Sequence, residues 1–97
     1  MSGYLVANYR ITYPDAFKNY LSVVGKTLAA VGAEVIVADY ASEAIEGDAQ
    51  AVTIVAKFAS KDAVRDWYQA PEYQNIVHHR IDNTEGLLLI ADGFKLP

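Results

Sequence analysis

Two histidines stand side by side at His78 and His79, and the chain has no others. An imidazole titrates near neutrality, so it can act as a general base or as a metal or axial ligand. Adjacent side chains on a helix point about 100° apart, so this pair is a poor joint ligand set for one ion. The chain also lacks cysteine, and neither histidine assembles the three or four ligands a metal needs. No metal and no cofactor are expected. His78 has Asp82 at i+4 and His79 has Asn83, which allows one nitrogen–oxygen pair per face. The plain reading is a solvated helix face beside Arg80. The functional one turns a single histidine into the gap between helix and sheet.

Aromatic residues are the second signal, with seven Tyr, three Phe and one Trp. Trp67, Tyr68 and Tyr73 gather around Pro71. Aromatic residues at helical spacing build cores, but a buried tyrosine hydroxyl needs a partner, and a helix break opens room beside it. Asn8 and Arg10 share an alternating face with Tyr4 and Val6, a face that is either solvated or lines a cavity. Glu46 beside Gly47 reads as a turn residue, and as a base if it points inward. There is no Gly-rich phosphate loop, nucleophile elbow or paired-carboxylate arrangement, so dinucleotide, acyl-transfer and glycosidase chemistry lack support. A formal net charge of −4 argues against nucleic acid and anionic lipid as partners.

These side chains must be positioned by a small scaffold. A chain of 97 residues, 53% hydrophobic and 21% charged, is sized for one domain spanning 1–97, too apolar for disorder and too charged for a membrane span. Without cysteine or a signal-peptide layout, a cytoplasmic location is the default. Gly3–Ile11 alternates with Leu5, Ala7, Tyr9 and Ile11 on one side, as a half-buried strand does. Pro14 and Asp15 open a helix whose stripe runs Phe17, Tyr20, Leu21, Val24, Leu28 and Val31, with Gly25 off the stripe and Gly32 as the stop. Strands follow over 33–39, 51–58 and 86–92. Between the last two, a helix starts at the Ser60 cap, breaks at Pro71, and resumes as a second segment carrying Tyr73, Ile76, Val77 and Arg80.

The order strand, helix, strand, strand, helix, strand predicts an α+β, ferredoxin-like βαββαβ antiparallel sheet with both helices on one face. Val55 and the run Leu87–Ile90 make the other face apolar too, so it needs a cover. A second copy of the chain, forming a homodimer through the helix-free sheet face, is the simplest one.

The run Trp67-Tyr68-Gln69-Ala70-Pro71-Glu72-Tyr73-Gln74 resembles the second helix of a small bacterial family called domain of unknown function 1330, which carries a similar W/Y-Y-x-S-P-E-Y-Q pattern. Gly3-Tyr4, Pro14-Asp15-Ala16-Phe17, Ile45-Glu46-Gly47 and Phe58-Ala59-Ser60 match that family in order. Asp39-Tyr40-Ala41-Ser42 stands where the family commonly has a glycine-rich turn, and Asp92 where it favours Glu. The resemblance implies a dimeric α+β barrel in which two ferredoxin-like units pack sheet against sheet. It brings no settled reaction. Within that wider group the haem-degrading monooxygenases use an Asn on the first strand with a Trp and a His on the second helix. Asn8, Trp67 and His78 stand at similar places here, with Pro71 between the last two.

The resulting expectation is a homodimer with a pocket between the sheet face bearing Asn8 and the broken second helix. The pocket would draw on Asn8, Arg10, Glu46, Trp67, Tyr68, Tyr73, His78, His79 and Arg80, and would hold a small apolar or aromatic metabolite without a known reaction. The alternative is a cofactor-independent or haem-binding monooxygenase-like enzyme.

Overall fold

The computed structural model describes residues 1–95. Strand β1 (Gly3–Ile11) leads into helix α1 (Pro14–Ala30), then β2 (Glu34–Asp39), β3 (Val52–Phe58), three short helices α2 (Lys61–Gln69), α3 (Pro71–Gln74) and α4 (Val77–Ile81), and finally β4 (Thr84–Asp92). The strands form one sheet in the order β2-β3-β1-β4, every neighbour antiparallel. This is the expected α+β, ferredoxin-like arrangement. Strand β4 begins at Thr84 rather than Gly86 because it pairs along the whole of β1, from Gly3 with Asp92 to Ile11 with Thr84. Among the described residues no helix is long and apolar enough to cross a membrane.

Local chemistry sets the boundaries. Pro14 begins α1, where its missing N–H loses nothing. The helix ends in a Schellman turn. Ala33 N–H donates to the Leu28 carbonyl at 3.0 Å and Gly32 N–H to Ala29 at 3.1 Å, with Gly32 at φ 72°, a conformation glycine adopts without penalty. Ser60 caps α2, its Oγ accepting from Ala63 N–H at 3.1 Å. Gly3 allows β1 to pass this cap, since a Cβ there would lie 2.3 Å from the Lys61 nitrogen.

The second helix is interrupted twice, not once. Ala70, the residue before Pro71, is extended at ψ 144°, as the proline ring demands of its predecessor. Pro71 then starts a single turn. A further interruption at Asn75–Ile76 separates that turn from α4, so Tyr73 and Arg80 lie on different helices rather than on one resumed segment.

The core sits between the helices and one face of the sheet. Leu5, Ala7 and Tyr9 of β1 join Phe17, Leu28, Val64, Trp67 and Tyr73 there. Register puts Ile54, Ala56 and Leu88 on the same side. The opposite, helix-free side carries Tyr4, Val6, Asn8 and Arg10, flanked by Thr53, Val55, Leu87 and Leu89. Leu87 and Leu89 remain 52% and 45% exposed. At the β2 edge the sheet extends past its helical cover: all six strand residues are exposed, and a bulge between Val35 and Val37 shifts the pairing with β3.

Candidate functional site

A cavity of about 200 Å³ lies between α1 and the helix-covered face of the sheet, towards β2. Leu5, Ala7, Ile54 and Ala56 form its floor, and Leu21, Val24, Gly25 and Leu28 its roof. The roof residues recur at i, i+3, i+4 and i+7, which is one helix face. Gly25 therefore lies on the α1 face that borders the cavity, at its solvent-exposed mouth beside Leu21, and not off it. A Cβ built at Gly25 meets nothing within 4 Å, so the missing side chain leaves open space. Glycine in a helix interior costs roughly 1 kcal/mol relative to alanine, a loss that close packing does not explain here.

Val35, Ala38 and Leu88 add further apolar lining, and the polar part comes from three elements and the residue that follows β2. Tyr9 of β1, Tyr20 of α1, Tyr40 after β2 and Arg80 of α4 all face the cavity. The Tyr20 and Tyr73 hydroxyls meet at 2.9 Å, and Arg80 Nε donates to the Tyr73 hydroxyl at 3.2 Å. Tyr73 is fully buried and links the other two from behind the lining. Trp67 closes one wall; its indole N–H donates to Thr27 Oγ1 at 3.0 Å, and its ring lies against Tyr73 with centroids 4.1 Å apart.

Burial dominates the electrostatics. It pushes the Tyr9 hydroxyl up to about 12, with nearby Tyr40 adding to the shift and Arg80 opposing it. Burial also drives Tyr20 far above the ordinary phenol range, assisted by Tyr73. At neutral pH both hydroxyls are neutral hydrogen-bonding groups and not bases. For Arg80, burial disfavours the charge, but the bond to Tyr73 and the surrounding hydroxyls outweigh it and raise its pKa. Among the described residues Arg80 is the one charged side chain in the lining. The arrangement suits a flat, mainly apolar molecule with one polar end.

The structure brings together only part of the expected site. Trp67 and Arg80 line the cavity, and Tyr73 supports it. Tyr68 packs its ring on Trp67 and Tyr73, but opens onto a different surface hollow beside Leu88 and Ile90. Asn8 faces the helix-free side, because residues of even number on β1 point away from the helices. There it is fully occupied: Nδ2 donates to the Gln50 and Val52 carbonyls at 3.0 Å each and to Thr53 Oγ1 at 3.1 Å, while Oδ1 accepts from Gln50 N–H at 2.7 Å. Its work is to pin the loop between β2 and β3. Arg10 lies on the same far face in an exposed ion pair with Glu85. Glu46 is exposed in that loop.

The histidines also lie elsewhere. Their rings lie against each other, centroids 4.0 Å apart and planes tilted by 41°, since rotation about the side-chain bonds overcomes the divergence of their Cβ directions. His78 is exposed and His79 half-buried, and neither lines the cavity. Asn83 Nδ2 donates to the His79 backbone carbonyl at 2.7 Å and not to the imidazole. Among the described residues no group of three or more potential ligands could hold a metal ion. The constellation of Asn8, Trp67 and His78 is not assembled, because the sheet separates its first member from the other two.

Tyr9, Tyr20, Gly25 and Tyr40 were not among the expected site residues. Tyr9 and Tyr20 carried a usable signal: each is a tyrosine on an inward apolar stripe, where its hydroxyl must find a polar neighbour. Tyr40 carried none, since the bulge in β2 sets its direction.

The sequence model of the family described as domain of unknown function (DUF1330) matches residues 2–94, and the chain belongs to that family. No curated protein matches the chain. Among solved structures it is similar to a protein of unknown function from Rhodopseudomonas palustris, with a TM-score of 0.78 at 19% identity, covering 98% of this chain and 84% of that one. It is also similar to SnoaB, a cofactor-independent oxygenase from Streptomyces nogalater, with a TM-score of 0.67 at 11% identity, covering 98% and 95%. A dimeric protein of unknown function and ferredoxin-like fold from Bacteroides fragilis has a TM-score of 0.60 at 11% identity, covering 95% of each chain. These likenesses establish the fold.

Proposed function

We propose that this member of the DUF1330 family is a cytoplasmic homodimer that binds a small aromatic or apolar molecule in the cavity between α1 and the sheet. The observation that carries the reading is the cavity itself, an apolar chamber under Gly25 bounded by the hydroxyls of Tyr9 and Tyr20 and by Arg80. Ligand sites have this character, concave and mostly apolar with few convergent polar groups. A binding protein of this kind gains stability from its ligand by mass action. A thermal-denaturation screen of small aromatic compounds against the wild type and Gly25→Leu tests the reading. Compounds that raise the wild-type melting temperature should lose that effect in Gly25→Leu, whose side chain occupies the chamber. Equal shifts in both proteins would refute the reading.

The homodimer is supported by the apolar strip of Leu87 and Leu89 on the helix-free face and by the dimeric state named for the Bacteroides fragilis neighbour.

One observation favours a second reading, a cofactor-independent oxygenase like the Streptomyces neighbour. Arg80 is placed to stabilise an anion formed on a bound substrate, the electron-rich state from which direct reaction with dioxygen proceeds. Oxygen uptake on adding the compounds found by the thermal screen separates oxygenase from binding protein. The haem-binding variant loses its support with the separation of Asn8 from Trp67 and His78.

A further inference from the structure

A charged side chain is expensive to bury unless its charge is met, and arginine meets it best with a planar anion. The other two arginines of the chain obey this rule on the surface, Arg10 with Glu85 and Arg65 with Asp62. Arg80 is more buried than either, yet no carboxylate among the described residues pairs with it. Among the described residues its side chain makes a single hydrogen bond, from Nε to the neutral Tyr73 hydroxyl at 3.2 Å. A guanidinium carries five N–H donors; both terminal nitrogens of the half-buried Arg80 lack a protein partner among the described residues and stay open to solvent, free to address an occupant of the cavity that the residue lines.

From this we infer that the ligand is a monoanion, a small aromatic or apolar carboxylate whose carboxyl group is gripped by Arg80 while its body lies under Gly25. The inference rests on the binding reading above and names the substrate class of the same site. A planar carboxylate matches the two-pronged donor geometry of the guanidinium. A single cation in an otherwise uncharged lining neutralises one negative charge, which favours a carboxylate over a doubly charged phosphate. The hydroxyls of Tyr9 and Tyr20 remain protonated at neutral pH, so they add hydrogen bonds and no opposing charge. Arg80 is thus a specificity residue, and Tyr73 holds it in position from behind.

The test uses matched pairs of probes: benzoate, phenylacetate and 2-naphthoate, each against its primary amide, titrated calorimetrically into the 97-residue chain. The wild type should bind at least one acid about tenfold or more tighter than its amide, as a charge-assisted contact implies. Arg80→Gln should abolish the preference by weakening the acid and sparing the amide, and Arg80→Lys should restore part of it. Acids and amides binding alike to the wild type would overturn the inference while leaving the pocket intact. A preference that survives in Arg80→Gln would overturn it as well. Failure of every acid and every amide to bind the wild type would instead overturn the binding reading, and the inference with it. The wild-type comparison stands whether or not the variants fold.

Discussion

The hydroxyls of Tyr20 and Tyr73 meet at 2.9 Å in the interior, joining the middle of α1 to the single helical turn that follows Pro71. This bond ties α1 to α3 beside the cavity that Tyr20 lines. Because the Tyr73 hydroxyl also receives Arg80 Nε, the same bond sets the position of the guanidinium.

Removing the hydroxyls singly tests this link. Tyr73→Phe leaves a buried Tyr20 hydroxyl without its partner and should destabilise the protein by about 1–3 kcal/mol. Tyr20→Phe leaves Tyr73 still bonded to Arg80 and should cost about 1 kcal/mol or less. Urea denaturation of both variants and the double mutant reads the difference, and a double mutant as destabilised as the sum of the two would deny the coupling.

Gly25 predicts an asymmetry between stability and binding. Because a Cβ there meets nothing within 4 Å, Gly25→Ala should stabilise the fold by about 0.5–1 kcal/mol through helix propensity alone. Chemical denaturation checks this, and a destabilised Gly25→Ala would mean that the space beside Gly25 is filled.

Alkaline pH should weaken the fold. Burial pushes Tyr9 up to about 12 in the folded chain from the ordinary phenol value of 10.0, and Tyr20 is shifted in the same direction. The folded state therefore holds these protons more tightly than the unfolded one. Their contribution is fully present below pH 10 and is lost as pH rises through 10 to 12, at up to about 1.4 kcal/mol per pH unit for each group. Denaturation curves at pH 8, 10 and 11 should show this fall, and Tyr9→Phe should make it shallower. A Tyr9→Phe variant with an unchanged slope would show that Tyr9 is not shifted.

The proposed dimer places Leu87 and Leu89, 52% and 45% exposed in the single chain, at the subunit interface. Leu89→Asp should convert the dimer to monomer at micromolar concentration, because it buries a charge without a partner. Sedimentation equilibrium decides the matter, and a wild type that sediments as a monomer would remove the dimer outright.

The architecture was legible because strand alternation and helix punctuation are local. Leu5, Ala7 and Tyr9 at every second position, Pro14 at a helix start and Pro71 at a break each carry their physical reason in the sequence. The site was less legible. Asn8 and Arg10 drew attention as polar residues on a strand, but the face that receives the helices is the apolar one, and a polar alternate residue points away from it. The histidine pair misled in a similar way, since a reactive side chain type says nothing of which side of a short helix faces the core. Sequence spacing puts Gly25 off the stripe because its value is an absence of atoms that only the packed structure reveals. Trp67 and Arg80 were reached through the run around Pro71, where the aromatic spacing and the break together point inward.

The most direct test of the central claim is a two-dimensional amide NMR titration of the 97-residue chain with 2-naphthoate. Binding in the cavity predicts saturable shifts concentrated at Ala7, Gly25, Ala38, Ala56 and Arg80, with little change at His78, His79 or Glu46. Shifts confined to the Leu87 and Leu89 face, or scattered without saturation, would contradict a ligand site between α1 and the sheet.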